Sequence, residues 1–345
     1  MVGDNTPCCI SLFYYSTYFP RGTKIRITSK VTSEPIRYSN YQFLKLVGLK
    51  IYLPLFPEIH YGDKVVIEGT VDGDKLKETN LVKVEQSGGL RNLRNKIVDI
   101  FKKALPEPHA SLLAGITLGS KNMPEGFWNK LTETGTAHVV VASGMNVTMV
   151  ASFLISTLTL FLKRKFAILG VLIGVFVYSL LSGFDAPIIR AGIMGTVAFI
   201  AQETGRLISA WRALVYSAAV MLLVKPDWVG DIGFILSFVA TASLLVFQKR
   251  IDRYFRSLPN LLREGFSTSL GAQIGVAPIL FVTFGQFNIL SPVINALILW
   301  TVPLIMVIAG IGGLVGLIIP DLARLILYLA YPLTLWFIWA VEIFA

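Results

Sequence analysis

His138, Ser143 and Asn146 stand close together in TAHVVVASGMNVTMVASFL (136–154), a stretch otherwise apolar enough to enter a bilayer. At about 100° per residue of continuous helix they fall near 0°, 140° and 80°, on one broad face. Such a face can line a polar cavity or bond to a neighbouring helix, and the adjoining Ser-Gly pair suits close helix packing. Hydrolysis makes a stricter demand. A serine nucleophile needs its base within about 2.6–3.2 Å, and two positions about 140° apart on one helix cannot meet. The glycine expected two positions before a membrane-protease serine is Val141.

Other chemistries fail on residue supply. GITLGSK (115–121) has three residues between its glycines and a serine before Lys121, so it misses the phosphate-loop pattern. The three histidines are His60, His109 and His138, and no H-x-H-x-D-H cluster can be assembled. Metal-dependent nuclease chemistry is therefore excluded for this polypeptide. No catalytic residue, metal site or cofactor is expected. The polar residues that remain inside apolar runs are Arg190, Gln202, Arg212, Asp231, Gln273 and Asn295. A central arginine costs about 2.5–3.5 kcal/mol on insertion scales, so each such residue needs a polar neighbour or a wet path.

The elements that must position them follow from composition. The chain of 345 residues is 54% hydrophobic and only 15% charged, well below the roughly 25% charge of soluble domains. The mean hydropathy is +0.65. A net charge of +10 fits loops that collect Lys and Arg on the cytoplasmic side, and so does not prove an anionic ligand. The adjacent Cys8 and Cys9 are poorly placed to bridge each other and say nothing firm about redox compartment.

The composition changes near residue 108. Before it, TKIRITSKV, YQFLKLVG, LKIYLP, DKVVIEGTVDG and KLKETNLVKVE read as five strands, with GDK and DGD as tight turns. Five short strands in residues 21–88 suit a small closed all-β barrel of the OB type, with an SH3-like barrel as the alternative. In it, Lys24, Arg26, Arg37, Tyr38, Tyr41, Phe43, Lys45, Lys50 and Tyr52 mix cations with aromatic rings. That mixture is what single-stranded nucleic acid uses, although alternating Lys and Tyr also make an ordinary solvated strand face. Residues 1–20 are expected to be an irregular or truncated segment. CCISLFYYSTYF is too short to span a bilayer and lacks a basic leader. Residues 89–135 are expected to be amphipathic or interfacial helices, since LRNLRNKIVDIFKKA spaces its apolar residues helically with Arg and Lys on the other side.

From 136 to 345 the sequence predicts a mainly α membrane domain, a polytopic bundle of seven or eight crossings. Spans lie near 136–161, 166–184, 187–202, 207–224, 228–247 and 266–284, then a half-span and a span over 287–319, and a last one over 322–344. Lys163–Lys165, Arg206 and the group Lys249, Arg250, Arg253, Arg256 and Arg263 fall on one face by alternation. The other face receives Asp185, Lys225 with Asp227, and the turn at Gly285. The positive-inside rule makes the basic face cytoplasmic and puts the barrel outside the cytoplasm, on a multi-pass cytoplasmic (inner) membrane protein.

Four segments resemble a known family. LLAGITLGSKNMPEGFWNKLTETGTAHVVVASGMNVTMVA, SGFDAPIIRAGIM, PDWVGDIGFILSFVATASLL and LGAQIGVAPILFVTFGQFNILSPVINALI look, in that order, like the signature of the ComEC family of competence proteins. The resemblance implies a channel that brings single-stranded DNA into the cytoplasm during natural transformation, with an OB-like domain ahead of the membrane domain. It implies DNA-receptor proteins, a cytoplasmic DNA translocase and a separate nuclease as partners beside DNA and lipid. On this reading His138, Ser143, Asn146, Arg190, Gln273 and Asn295 are the candidate pathway residues. Three departures stand out: Asn146 stands where a second histidine is usual and Thr136-Ala137 where Gly-Leu is common, no apolar anchor of full length is expected ahead of the barrel, and the metallo-β-lactamase-like domain that many relatives carry is not expected within residues 1–345. A small-solute permease with an accessory β-barrel is the competing expectation, because broken helices with midplane polar groups typify transporters.

Overall fold

The computed structural model describes every residue except 1–7, 11–21, 32–34, 38–40, 47, 60–61, 86–87, 142, 184, 204–207, 258 and 285–287. It divides into two compact units, Met1–Asn95 and Lys96–Ala345.

Among its described residues the first unit forms one sheet of seven strands: β1 (Cys8–Ile10), β2 (Lys24–Lys30), β3 (Ile36–Arg37), β4 (Gln42–Leu46), β5 (Leu49–Leu53), β6 (Lys64–Asp72) and β7 (Lys75–Glu85). All five strands expected from the alternation are present, and β1 and β3 are short additions at the edges. The order is β1-β2-β6-β7-β5-β4-β3, with β5 and β7 parallel. Alternate residues turn inward: Ile25 and Ile27 of β2 share one apolar cluster with Leu44 and Leu46 of β4, Ile51 of β5 and Ile67 of β6. A single sheet can bury the same face of strands so far apart in its order only by curling on itself. Among the described residues, however, no ladder joins its two ends. The β6–β7 connection turns at Gly73 with φ 65°, a conformation that favours glycine.

Gln42 is a polar residue inside this core, with no exposure. Its Nε2 donates to the carbonyls of Pro54 and Pro57 at 2.7 and 2.9 Å, and its Oε1 accepts from the Ile59 backbone N–H at 3.3 Å. It thereby satisfies the backbone of the loop after β5, which would otherwise lack partners.

The second unit is helical. Helix α1 (Leu90–Ala104) runs across the division after Asn95, and its Ile97, Ile100 and Phe101 pack where Gly313 and Gly316 leave room. There follow α2 (His109–Leu118), α3 (Glu125–Glu133), α4 (Ala137–Val140), α5 (Gly144–Phe161), α6 (Arg164–Ser182), α7 (Ala186–Glu203) and α8 (Ala210–Val224). A 3-10 turn (Pro226–Gly230) leads into α9 (Ile232–Tyr254) and α10 (Asn260–Phe284). The last four are α11 (Ser291–Ile298), α12 (Thr301–Gly316), α13 (Pro320–Tyr328) and α14 (Tyr331–Phe344). The segment expected to be interfacial differs in one part: α2 is apolar all round, and all ten of its residues are buried. A helix without a polar face belongs in a core.

Among the described residues four stretches are long and apolar enough to cross a membrane: Ala137–Phe161, Arg164–Ser182, Ile232–Tyr254 and Leu262–Thr283. The pairs α11 with α12 and α13 with α14 qualify jointly, bent by 46° and 47° at their breaks, which raises the number to six. Helices α7 and α8 are apolar but shorter.

Candidate functional site in the helical unit

The continuous helix expected over 136–161 is broken. Val141 and Ser143 are extended, at φ −81°, ψ 145° and φ −120°, ψ 168°, so His138 belongs to α4 while Asn146 lies in the first turn of α5. The single shared face of these three residues is therefore corrected. A short polar residue followed by glycine competes with helix continuation, which is the local reason for the break.

His138 is exposed, and its Nδ1 meets the Gly135 carbonyl at 2.9 Å. Ser143 Oγ donates to Asn146 Oδ1 at 3.2 Å, and Asn146 Nδ2 donates to the Ile116 carbonyl at 2.9 Å. Asn146 is fully buried, so it ties the start of α5 to α2. Neither contact makes a catalytic pair of Ser143 and His138.

Arg190 lies about one turn into α7, half-buried against α5 and α9. Its Nε donates to Ser237 Oγ at 2.8 Å and its Nη1 to Thr241 Oγ1, while Met194 Sδ lies 3.8 Å from Nη1. The Phe238 ring flanks the guanidinium, 5.9 Å from Cζ to the ring centroid. On the opposite side Gly144 faces Nη2 so closely that a methyl there would stand 2.8 Å from it. No carboxylate pairs with Arg190 among the described residues. Each hydrogen bond to a charged donor is worth roughly 1.5–3 kcal/mol, so the two hydroxyls offset most of the cost of holding this cation among apolar helices.

The other expected pathway residues lie apart from this cluster. Asn295 is fully buried in α11, where its Nδ2 donates to Ser269 Oγ at 2.7 Å and to Ser291 Oγ at 3.3 Å. It ties α11 to α10. Gln273 is half-buried along α10. An apolar cavity of about 460 Å³ lies between α5, α6 and α7, lined by Val147, Ala151, Val175, Gly195 and Phe199 among others. No group of three or more His, Cys, Asp or Glu that could hold a metal exists among the described residues.

In the first unit, β4 and β5 bring part of the expected binding face together. Phe43 lies opposite Tyr52 and Lys45 opposite Lys50 in the register. The Tyr52 ring is 5.5 Å from Tyr41 and 5.3 Å from Phe43, which makes a strip of three rings beside two lysines. Lys45 is exposed with no ion-pair partner among the described residues. Lys50 meets Asp74 at 2.7 Å, and that hydrogen bond holds its ammonium above the usual lysine range. Lys24 and Arg26 lie on β2, separated from β5 in the ladder order by β6 and β7, and Arg26 pairs with Glu68 at 3.4 Å. Arg37 lies opposite Gln42 in the edge strand β3, and Tyr38, like Arg206 and Gly285, lies outside the described residues.

Gly144, Ser237 and Thr241 escape a reading for polar residues alone. The signal that could have found the hydroxyls is their spacing: four positions apart, they share one face of α9.

A bundle of membrane-length apolar helices that holds an arginine with no carboxylate partner among the described residues, in a chain that also carries a curled sheet as a separate unit, defines a membrane-type helical protein. The model of the Competence protein family matches residues 116–345, well over half of the chain. The chain belongs to that family, the ComEC-type competence proteins. It is 26% identical over 208 residues to ComE operon protein 3 of Bacillus subtilis, covering 60% of this chain and 26% of that one. It is 28% identical over 191 residues to competence protein ComA of Neisseria gonorrhoeae, covering 51% and 27%. An uncharacterized protein of Escherichia coli, YcaI, is 26% identical over 249 residues, covering 68% and 32%. The chain thus spans about a quarter to a third of the length of these relatives. No solved structure matches it.

Proposed function

We propose that this chain conducts single-stranded DNA across the cytoplasmic membrane during natural transformation. One observation carries the reading. Three of the segments that bear the family resemblance meet at a single guanidinium: Arg190 from the second, Ser237 and Thr241 from the third, and Gly144 from the first. A polyanion crossing an apolar bundle needs fixed positive charge that no carboxylate cancels, and phosphate is the anion a guanidinium fork fits best.

The sheet order supports an OB-like first unit. Taking β2, β4, β5, β6 and β7 as the five main strands, the third and fifth pair in parallel and the first lies beside the fourth, as in OB barrels. The strip of Tyr41, Phe43 and Tyr52 with Lys45 and Lys50 then offers stacking faces and cations to a strand. In this reading α7, α8 and the two bent pairs complete seven or eight crossings, the basic loops face the cytoplasm and the sheet lies outside. DNA receptors, a nuclease activity and a translocase act with it.

The permease alternative draws on the apolar cavity between α5, α6 and α7, which suits a small apolar solute better than a phosphodiester. Transformation frequency scored with an Arg190→Ala variant at normal membrane abundance separates the two. Lost uptake supports conduction of DNA, and wild-type uptake removes Arg190 from the path.

A further inference from the structure

We infer that Ser237 and Thr241 are positioning residues, which aim the free edge of Arg190 at the start of α5 while leaving its charge intact. The inference rests on the reading of Arg190 as a pathway residue and adds how that residue is held. The two hydroxyls sit one helical turn apart and take the Nε and Nη1 donors, which fixes the guanidinium plane. The Thr241 hydroxyl proton is already committed to the Ser237 carbonyl at 2.9 Å, so its oxygen faces Arg190 as an acceptor. Phe238, between them in sequence, flanks the same group.

The choice of acceptor matters. An aspartate at either position would hold Arg190 as firmly and would cancel its charge. Neutral hydroxyls orient the fork and leave one full positive charge for an incoming anion. Nη2, the remaining nitrogen, has no acceptor among the described residues. It faces Gly144, where the missing side chain lets the start of α5 approach the guanidinium, since a methyl would lie 2.8 Å from Nη2 and 3.4 Å from Ala191 Cβ.

The test is transformation frequency in the full-length protein, normalised to membrane abundance and to the unfolding temperature in detergent. Thr241→Val and Ser237→Ala are each expected to lower uptake about ten- to a hundredfold, the scale of one hydrogen bond to a charged group. Thr241→Ser, which restores the oxygen, should restore uptake, and Gly144→Ala should lose it. Arg190→Lys keeps the charge and loses the fork, so Thr241→Val should add no further loss in that background. Wild-type uptake in both hydroxyl variants, with Arg190→Ala defective, would overturn the positioning role and leave the pathway reading intact. An equal further loss from Thr241→Val in the Arg190→Lys background would also overturn it. Wild-type uptake in Arg190→Ala would remove the pathway reading itself. Should Ser237→Ala fail to accumulate, Thr241→Val against Thr241→Ser decides alone.

Discussion

Arg190 and Asn146 are both polar residues in apolar helices, and the structure assigns them different burdens. Arg190 ends in a nitrogen with no acceptor among the described residues, whereas both polar ends of Asn146 are used in packing. Asn146→Leu would leave the Ile116 carbonyl buried without a partner, at a cost of about 1–3 kcal/mol. The expected result is an unfolding temperature a few degrees lower in detergent. An unchanged transition with lost uptake would instead place Asn146 on the route. Arg190 was legible in the sequence because a cation in an apolar run is costly unless a polar neighbour or water receives it. Ser237 and Thr241 were not. Hydroxyls in apolar helices usually bond back to their own helix, as Thr148, Thr159 and Thr196 do here, so the four-residue spacing of Ser237 and Thr241 marks a shared face without saying that an arginine lies against it.

At the level of elements, the main strands were readable from alternation because β2, β4, β5 and β6 bury alternate residues in one core, which β7 joins through Leu76 with Leu81 and Val84 partly buried. Strands β1 and β3 have three residues and two, too few to show a period. The break between α4 and α5 was equally hidden, since apolar letters continue on both sides of Ser143-Gly144 and hydropathy does not register a backbone turn. The paired strands β4 and β5 carry a prediction of their own. Tyr52 touches both other rings of the strip, so Tyr52→Ala should weaken binding of single-stranded oligonucleotides by about 1–3 kcal/mol. Fluorescence anisotropy with labelled oligonucleotides measures it, and wild-type affinity would remove the strip from recognition. Ile51→Ala, by contrast, opens the fully buried core of the same strand. It should cost about 2–5 kcal/mol of stability in urea unfolding; no change in midpoint would mean that the sheet does not close over that core.

For the whole molecule, two units with separate cores carry different parts of one proposed task, a cationic aromatic face on the sheet and an uncancelled charge inside the helices. If the sheet meets DNA through its phosphates, log affinity for single strands must fall linearly with log salt, with a slope of about −0.7 per phosphate neutralised. Lys45→Ala and Lys50→Ala should each shallow that slope by somewhat less than one. A flat salt dependence would point instead to a small solute.

In the proposed function Arg190 serves a passing polyanion. The most direct measurement of that role is uptake of labelled transforming DNA into the cytoplasm by cells carrying Arg190→Ala, with surface-bound DNA and membrane abundance counted in the same cells. Normal abundance and normal surface binding are expected, with uptake reduced by at least about tenfold, the scale of one lost charge-assisted contact. Wild-type uptake at normal abundance would contradict that role.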